Sequence, residues 1–551
     1  MGGVYNGEGG RCHRADVPCP LAVKVELEEP VQHTYSLDTH KGIFIHTLSS
    51  ASATATQSLY SHRHYPNLMV MEILLERQVT SQEPVTVKLV SSFTPQSKDI
   101  RFEAGPDYRG GRHIFDSLYV RLYFLIITIK QSLSLLKKYA VLQGLKFPWE
   151  SAVSGREVCP EDIYGQQEIH INGDVTLAFR HYLYLTEDLS MFREGLGSEV
   201  IYGVADYWVS RVTWKPEDQK YHLDGVMPPD EYYYNVNDSV YTNTVANLQF
   251  AVELAELLQH PAPKEWQAVA EYIKIPFDEE HQYHPEYDGY IKGHPVKQAD
   301  TVLLGYPLGL PMSPEVRRND LEAYEPVTNP HGPAMTWGMF AIGWLELGEA
   351  EKAQLLLEKC FNNIQGPFQV WSESSDGSGA VNFLTGMGGF LQAVLFGYTG
   401  FRLVLNPGNK HFGVFSPQCV HSDTKLHIVV LYPRVQKDCL AFSPLLPNDV
   451  CELCVRGVNY LGSQMDWLLR KEEVCIILRE QEGSPGNTKP CNLQVVLKAS
   501  GTKIPLTPGK AQVQTCSLNM QLFRASFIHE NNLIVSVLIR NKHVSQYSKK
   551  K

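Results

Sequence analysis

The spacing of apolar residues changes twice along the 551-residue chain, and this change constrains the fold more than any other feature. Up to about residue 105, apolar side chains alternate with polar ones, which is the period of half-buried strands. From about residue 115 to 400 they recur every three or four positions, the period of amphipathic helices. Beyond about residue 405 the alternation returns. The sequence therefore predicts a helical domain flanked by two β domains.

Individual elements follow from the same periodicity. The predicted strands are Val23–Leu27, Gly42–Leu48 and Val85–Phe93 in the first β region, then Lys425–Tyr432, Cys451–Gly457, Val474–Leu478, Leu493–Leu497 and Leu533–Ile539 in the second. The predicted helices are Val175–Leu185, Val200–Val212, Val240–Leu258, Glu265–Ile273, Met335–Leu347, Ala350–Phe361 and Phe383–Tyr398. The loops between these helices are long and aromatic, and long loops on a helical scaffold commonly carry function.

Charge and hydropathy exclude several classes of partner. The net charge of −11 and the pI near 6.0 argue against nucleic acid or an anionic membrane and favour a neutral or cationic ligand. The apolar run Leu118–Ile129 is shorter than the roughly 20 residues that span a bilayer, and Arg121 interrupts it. A buried helix or strand is expected there, and no membrane partner is predicted.

The eleven cysteines are an odd number scattered along the chain, which is not the pattern of a secreted disulfide framework. Cys451 and Cys454 form a single C-x-x-C without a second pair or a nearby histidine pair at ligand spacing, so a zinc or redox role is not expected for them. The first residues lack a charged segment followed by an apolar one, as a signal peptide would have. A reducing, cytoplasmic location is predicted.

The stretch from Gly225 to Phe250 holds the strongest candidate for chemistry. Asp230 and Glu231 follow a Pro-Pro break and precede three consecutive tyrosines, just before a helix that Asn237 or Asp238 could cap. A carboxyl group among aromatic rings is partly desolvated, which favours the protonated form that a general acid needs near neutral pH. The alternative interpretation is a tyrosine-rich loop between two core helices.

Three further loops carry residues of the same chemical kind. The four candidate motifs are Lys146–Ser151 with Glu157, Glu168 and His170; Asp230–Tyr232; Lys297–Asp300 after His294; and Val370–Phe383. Each is weak alone, because a tryptophan is usually core and a lysine usually solvated. Jointly they supply two acids on separate loops with aromatic and amide side chains between them. Glycoside hydrolysis requires such a set: one acid protonates the leaving oxygen and a second carboxylate activates water.

The order of these motifs resembles glycoside hydrolase family 65. The matching stretches read Phe-Pro-Trp-Glu-Ser, Glu-Ile-His, Pro-Asp-Glu-Tyr, Lys-Gln-Ala-Asp and Gly-Pro-Ala-Met-Thr-Trp, in that order. The resemblance covers most of the chain and is strongest from Lys146 to Phe401. It implies a partial N-terminal β-sandwich over residues 1–110, an (α/α)6 barrel catalytic domain over 111–404 and a C-terminal β-sandwich over 405–551.

The resemblance also implies a reaction and a set of site residues. Glu231 matches the general acid and Glu373 the general base of the hydrolytic members. The implied substrate-binding residues are Lys297, Gln298, Trp149, Glu150, Asp230, Tyr232, His170 and Asp116. The implied reaction is inverting hydrolysis that releases glucose from the glucosyl-α-1,2-galactosyl-hydroxylysine of collagen, a small glycoside. The resemblance implies no metal and no organic cofactor. The two acids are then expected to lie roughly 6.5–9.5 Å apart.

One region departs from the family pattern. The family carries a Phe-Trp-Asp-[Thr/Ser]-Glu motif ahead of Phe-Pro-Trp, whereas this chain has no tryptophan before Asp116. The interval before Lys146 is also shorter than in the family, so early barrel helices are expected to be missing. Three alternatives stay open: a weak or inactive relative without the glucose-binding loop, a trehalase-like α-glucosidase, and Asp376 instead of Glu373 as the base.

Overall fold

The computed structural model describes a defined part of the chain. The described residues are 21–65, 69–77, 86–92, 96–99, 144–151, 157–246, 248–405, 428–431, 438–471, 473–479, 493–497, 503–509, 511–515 and 537–541, with the short pieces 5–6, 13–14, 19, 94, 107–108 and 112–113. They belong to two compact units. The first takes in the described residues up to 113 together with 150–162 and 365–370, and the second takes in the remainder.

The first unit is built from antiparallel strands. They are β1 Tyr5–Asn6, β2 His13–Arg14, β3 Val23–Leu27, β4 Gln32–Asp38, β5 Ile43–Ser49, β6 Ala53–Ser61, β7 Met69–Arg77, β8 Val87–Ser91, β9 Asp107–Tyr108 and β10 Arg112–His113. Strands β4 to β7 form one sheet in chain order, and β3 pairs with β8. Val25 of the pair packs on Leu48 and Ala55 of the sheet, so the two layers share a small apolar core.

The three strands predicted in this unit are confirmed, and β4, β6 and β7 were not predicted. Strand β3 coincides with the predicted Val23–Leu27. Strand β6 consists mostly of alanine, threonine, serine and glutamine, and only its alternating burial shows that one face is covered. Hydrophobic alternation cannot reveal a strand whose buried positions are alanines.

The second unit contains eleven α-helices among its described residues. They are α1 Asp162–Gln167, α2 Ile171–Thr186, α3 Ser190–Arg193, α4 Gly197–Arg211, α5 Val240–Val245, α6 Gln249–Leu257, α7 Lys264–Tyr272, α8 Pro314–Tyr324, α9 Thr336–Glu346, α10 Ala350–Lys359 and α11 Leu384–Gln392. Shorter 3-10 and π turns occupy Thr301–Leu303, Leu304–Leu308, Glu325–Val327, Cys360–Asn363 and Ala393–Tyr398. Helix α9 is buried over almost its whole length, because it is apolar on every face.

The helical predictions are confirmed in position, with two differences. The predicted helix Val240–Leu258 is two helices, α5 and α6. The side-chain amide of Asn243 on α5 donates to Asp238 and to the carbonyl of Lys274. The spacing of apolar residues does not reveal such polar contacts. Helix α8 was not predicted. It has few apolar residues, but its start carries a Ser313 cap and Pro314 at the first position, which is a recognisable start signal.

Four short strands lie between the helices along the chain: β11 Thr213–Lys215, β12 Lys220–His222, β13 Ile364–Gln365 and β14 Val370–Trp371. The second unit also holds two five-stranded antiparallel sheets. Their strands are β15 Arg402–Leu405, β16 Ile428–Leu431, β17 Asp438–Phe442, β18 Val450–Tyr460, β19 Ser463–Arg470, β20 Glu473–Leu478, β21 Gln494–Leu497, β22 Lys503–Pro505, β23 Ala511–Thr515 and β24 Val537–Asn541. The orders are β15-β17-β16-β21-β22 and β23-β20-β19-β18-β24. Trp467 packs on Phe442 and Phe401 in their shared core. Of the five strands predicted beyond residue 405, Cys451–Gly457, Val474–Leu478 and Leu493–Leu497 are confirmed. Lys425–Tyr432 and Leu533–Ile539 are confirmed where they overlap β16 and β24, and residues 425–427, 432 and 533–536 lie outside the described residues.

Several predictions lie outside the described residues. Asp116, the apolar run Leu118–Ile129 and the shortened interval that ends before residue 144 are among them. Of the helices that are described, none is long and apolar enough to cross a membrane. The boundaries 1–110, 111–404 and 405–551 stay a prediction.

Candidate active site

The loop that carries Asp230 and Glu231 is held at its base. Val226 and Val236 exchange backbone hydrogen bonds of 2.9 and 3.0 Å, which close the loop like a short ladder. One residue further along, the N–H of Met227 donates to the carbonyl of Gln167, the last residue of α1. The two acids therefore lie at the tip of a loop whose two ends are tied to each other and to a helix.

Glu231 lies beside a lysine that also reaches Glu373. The Lys297 ammonium is 2.6 Å from Oε2 of Glu231 and 3.9 Å from Oε1 of Glu373. These two distances limit the separation of the two carboxylate oxygens to at most 6.5 Å. The Tyr164 hydroxyl donates to Glu231 at 3.2 Å. Both carboxylate side chains keep some exposure, 15% for Glu231 and 29% for Glu373, so a ligand can reach them.

The loop of Lys297 is fastened to the acid loop by its backbone and side chains. The N–H of Lys297 donates to Oδ1 of Asp230 at 2.9 Å, and the N–H of Asp230 donates to Oδ2 of Asp300 at 3.0 Å. The buried Gln298 amide donates to the carbonyl of Pro229. We call this set of three contacts the loop clasp. It fixes the lysine against the acid although the two lie 66 residues apart.

Two carboxyl groups of the loop clasp, Asp230 and Asp300, interact electrostatically with a third buried carboxyl group, Glu286. Burial raises the pKa of Asp230 to about 6, although the N–H groups of Lys297 and Tyr232 work against the rise. Burial raises the pKa of Asp300 to about 8 and that of Glu286 well above its ordinary value. The protonated form is therefore favoured near neutral pH for Asp300 and Glu286. In the described part of the chain, no cluster of three or more His, Cys, Asp or Glu side chains is arranged to hold a metal ion.

Glu373 is oriented by its own loop. Its N–H donates to the carbonyl of Ala380 at 2.9 Å, and the N–H of Ala380 donates back to Oε2 of Glu373 at 3.0 Å. The carbonyl of Glu373 accepts the N–H of Ala334 and the side-chain amide of Asn363. The backbone is thus held on both sides, and Oε1 is the oxygen that faces Lys297.

Asp376 lies on the same loop in a different environment. Its side chain is exposed, and Oδ1 accepts the N–H of Ser378 at 2.9 Å. The hydrogen bonds from the side chain and backbone of Ser378 lower the pKa of Asp376. Of the two carboxylates on this loop, Glu373 is therefore the one placed beside Lys297.

Gly379 makes room for Glu373, and we expect a substitution there to disturb the site. Its φ is +74°, and an added Cβ would lie 2.8 Å from Cδ of Glu373. On the predicted role of Glu373 as general base, Gly379→Ala should lower the catalytic rate about tenfold or more, because small displacements of a catalytic group are costly. Gly289→Ala is the matched control: its φ is +85° but nothing lies within 4 Å of the added atom. Equal activity of both variants would contradict this prediction.

Two predicted binding residues lie around the acid on the side of α1. The Trp149 ring stacks on that of Tyr164, with centroids 4.7 Å apart. Nδ1 of His170 is 2.7 Å from Oδ2 of Asp174. Burial lowers the pKa of His170, but the carboxylates of Asp174 and Glu168 outweigh this and bring it to about 10. His170 is therefore a cation at neutral pH.

The other predicted binding residues are placed as follows. Tyr232 is 46% exposed, and its hydroxyl accepts the side-chain amide of Asn329 at 2.9 Å. Glu150 belongs to the first unit, where its N–H donates to Oε1 of Glu157 at 3.1 Å. Asp116 is outside the described residues. The structure thus brings Glu231, Glu373 and Lys297 together.

Sequence reasoning missed three groups that shape the site. They are Tyr164, Glu286 and Asn329. The tyrosine is one of 28 in the chain and lies on a helix of six residues, which is too short to be recognised by its period. Glu286 is fully buried within a polar, aromatic loop that carries no sign of burial in its sequence. Only the long-range contacts of the fold single these residues out.

Comparisons with known proteins point to one family. Residues 133–296 match the family described as "Glycosyl hydrolase family 65 central catalytic domain". The chain is 45% identical to protein-glucosylgalactosylhydroxylysine glucosidase of Danio rerio, over 93% of this chain and 97% of that protein. It is 35% identical to the Mus musculus protein of the same name, over 93% and 92%. A kojibiose hydrolase of Flavobacterium johnsoniae is 35% identical over 50% of this chain and 40% of that protein.

The alignment with the Danio rerio relative also bears on the length of the chain. It runs over 670 positions, more than the 551 residues present here. Because it takes in 97% of the relative, segments of that protein have no counterpart in this chain. The shortened interval before Lys146 stays a prediction.

Proposed function

The chain belongs to glycoside hydrolase family 65, and from this membership we propose that it releases glucose from glucosyl-α-1,2-galactosyl-hydroxylysine by inverting hydrolysis. The observation that carries the proposal is the pair of carboxylates, Glu231 and Glu373, that two separate loops bring to one ammonium group. The relatives named for glucosidase activity toward this disaccharide support the substrate. They do not favour an inactive protein or a trehalase.

In the proposed reaction each carboxyl group moves one proton. Glu231 gives its proton to the oxygen between the glucosyl and galactosyl units as that bond breaks. Glu373 takes a proton from a water molecule, which attacks the anomeric carbon from the opposite face. The product is β-glucose, because the attack inverts the configuration. The contacts of Glu373 with Ala380 hold the base in place without blocking Oε1.

Lys297 places its ammonium between the two acids. We assign it to a hydroxyl of the glucosyl unit, together with Gln298. When the ammonium turns to that hydroxyl, Glu231 loses an ionic partner at 2.6 Å. The two carboxylate oxygens that face Lys297 lie at most 6.5 Å apart, which is at or below the lower end of the roughly 6.5–9.5 Å of inverting enzymes. Inversion is therefore proposed from family membership and not from this distance.

The remaining binding roles follow the placement of the side chains. We propose that Tyr232 and Trp149 present aromatic faces to sugar rings, and that His170 and Asp230 set the charge and hydrogen bonding around them. Glu150 and Asp116 stay candidates on the resemblance alone. No nucleic acid or membrane partner is proposed, since the net charge is −11. A cytoplasmic location is proposed from the scattered cysteines.

The structure establishes the helices and sheets, and we propose how they are arranged. We propose that the helices of the second unit belong to an (α/α)6 barrel. On this proposal the two five-stranded sheets form a C-terminal β-sandwich, and strands β3 to β8 form part of an N-terminal one. Family membership supports this architecture.

Glucose release is the test of the proposed function. The purified chain should release glucose from glucosylgalactosyl-hydroxylysine without added phosphate, and much less from trehalose or maltose. An enzymatic glucose assay with each substrate, with and without phosphate, measures this. Proton NMR of the first product distinguishes β-glucose from α-glucose. Release of α-glucose would contradict inversion, and a folded protein that releases no glucose from any substrate would contradict the proposed function.

A further inference from the structure

Residues 329–334 form a turn between two loops of the candidate site, and we call it the bridge turn. The N–H of Asn329 donates at 2.8 Å to the carbonyl of Val296, in the loop that carries the lysine. At the other end of the turn, the N–H of Ala334 donates to the carbonyl of Glu373 at 3.2 Å. The backbone of the bridge turn therefore joins the loop of the lysine to the loop of the proposed base.

The side chain of Asn329 adds the acid loop to these contacts. Its amide nitrogen donates to the hydroxyl of Tyr232 at 2.9 Å, and this tyrosine directly follows Glu231 in the chain. Its amide oxygen accepts the N–H of His331 at 2.9 Å, and its backbone carbonyl accepts the N–H of Gly332 at 3.2 Å. One side-chain amide thus shapes the turn and also holds the residue next to the proposed acid.

His331 continues the connection to the base loop. Its Nδ1 lies 3.1 Å from Oγ of Ser375, and its carbonyl accepts the N–H of the same serine at 3.3 Å. Ser375 is two positions after Glu373. A chain of hydrogen bonds thus runs from Tyr232 through the bridge turn to Ser375, and a proposed catalytic carboxylate lies within two residues of each end.

The bridge turn has little freedom to shift. A Cβ added to the buried Gly332 would lie 2.6 Å from the carbonyl oxygen of Lys297, so the turn packs directly on the backbone of that loop. The carbonyl of Gly332 accepts the side-chain amide of the buried Asn363 at 3.0 Å, and the same amide donates to the carbonyl of Glu373. Because these contacts hold the backbone, the turn is a rigid support for the side chains that it carries.

We propose that Asn329 is a positioning residue for the acid: its hydrogen bond to Tyr232 holds the tip of the acid loop in a fixed place relative to the base. This inference rests on the proposed roles of Glu231 and Glu373. The Lys297 ammonium contacts both carboxylates directly, but we assign it to a sugar hydroxyl when substrate binds. The bridge turn does not use that ammonium, so it keeps the acid aligned with the leaving oxygen while the lysine binds the sugar.

The test is a double-mutant cycle on the purified full chain with Asn329→Ala and Tyr232→Phe. Tyr232→Phe keeps the ring and removes only the hydroxyl that accepts the amide. With glucosylgalactosyl-hydroxylysine, each variant should lower kcat about three- to tenfold and leave KM within about twofold, because the acid is displaced and the sugar contacts remain. The double variant should lose no more than the larger of the two single losses, since both changes break the same bond.

A second substrate and a control variant complete the experiment. With α-glucosyl fluoride, whose fluoride leaves with little help from a proton, kcat of all three variants should stay within about twofold of wild type. Asn448→Ala is the matched control, because it removes an exposed side-chain amide that donates to Glu351 at 3.2 Å. It should leave both substrates unaffected. Thermal melts check folding, and if Asn329→Ala does not fold, the two-substrate comparison of Tyr232→Phe alone decides.

The outcomes separate the inference from the proposed function. If wild type releases no glucose from either substrate, the proposed function and the inference fall together. With an active wild type, the inference alone is overturned by unchanged kcat in the variants, by single losses that multiply in the double variant, or by equal losses on both substrates. A raised KM with unchanged kcat also overturns it, because the tyrosine hydroxyl would then bind the sugar. Losses in kcat that do not multiply and that occur only with the hydroxylysine glycoside support it.

Discussion

Glu231→Gln should abolish most hydrolysis of glucosylgalactosyl-hydroxylysine while leaving the protein folded. The change removes the transferable proton but little volume, so the loss is that of general acid catalysis, about 10²- to 10⁴-fold in kcat. The loss should be much smaller with α-glucosyl fluoride, which has a better leaving group. Glucose release from both substrates, with a thermal melt as a check of folding, measures the effect.

The matched control is Glu280→Gln, an exposed carboxylate on another loop. It has the same chemical change and should keep wild-type activity on both substrates. Near wild-type hydrolysis of the hydroxylysine glycoside by Glu231→Gln would remove this residue as the acid. Asp230, its buried neighbour with a pKa of about 6, would then be the group to substitute next.

Glu373→Gln should stop hydrolysis on both substrates, in contrast to the acid variant. Without a base the attacking water is not activated, whatever the leaving group, and a loss of about 10²- to 10⁴-fold is expected. The shorter Glu373→Ala leaves space beside the anomeric carbon. Azide should restore turnover of α-glucosyl fluoride by this variant and give β-glucosyl azide, which product analysis by NMR identifies.

Asp376→Asn serves as the comparison for the base. Its carboxylate is exposed and bound to Ser378, so we expect the variant to keep at least half of the wild-type activity. If Asp376→Asn is inactive and Glu373→Gln hydrolyses normally, the assignment is reversed. An azide product of retained configuration would instead contradict single-displacement chemistry.

Much of the fold was accessible from hydrophobic period, since amphipathic helices such as α4 and α10 show one apolar face each. Hydrophobic periodicity did not identify elements whose buried side chains are polar or small. Helix α5 is anchored by the buried Asn243, and strand β6 buries alanines. Helix α8 shows that a capping residue and a proline can mark the start of a helix whose hydrophobic periodicity is weak. In each case the missing information lies in contacts between distant segments, which local pattern does not contain.

The sequence predicted the residues of the candidate site better than their arrangement. The motifs pointed to Glu231, Lys297 and Glu373 as a set, but no spacing could predict that one ammonium would reach both carboxylates. The sequence analysis named Glu168 within a motif without predicting its burial, and it did not single out Glu286. Nothing in their neighbouring residues distinguishes a buried glutamate from a solvated one. Their unusual protonation arises from the assembled fold.

The loop clasp joins the acid loop and the loop of Lys297 into a single structural unit. Asp230 receives the N–H of Lys297 and gives its own N–H to Asp300, so a change of backbone course in one loop displaces the other. Among homologues, insertions in these two segments should therefore occur together or not at all. To transplant the acid loop into another helical scaffold, residues 297–300 would have to be transferred with it. Without them, the hydrogen bonds that hold the backbone next to Glu231 would be missing.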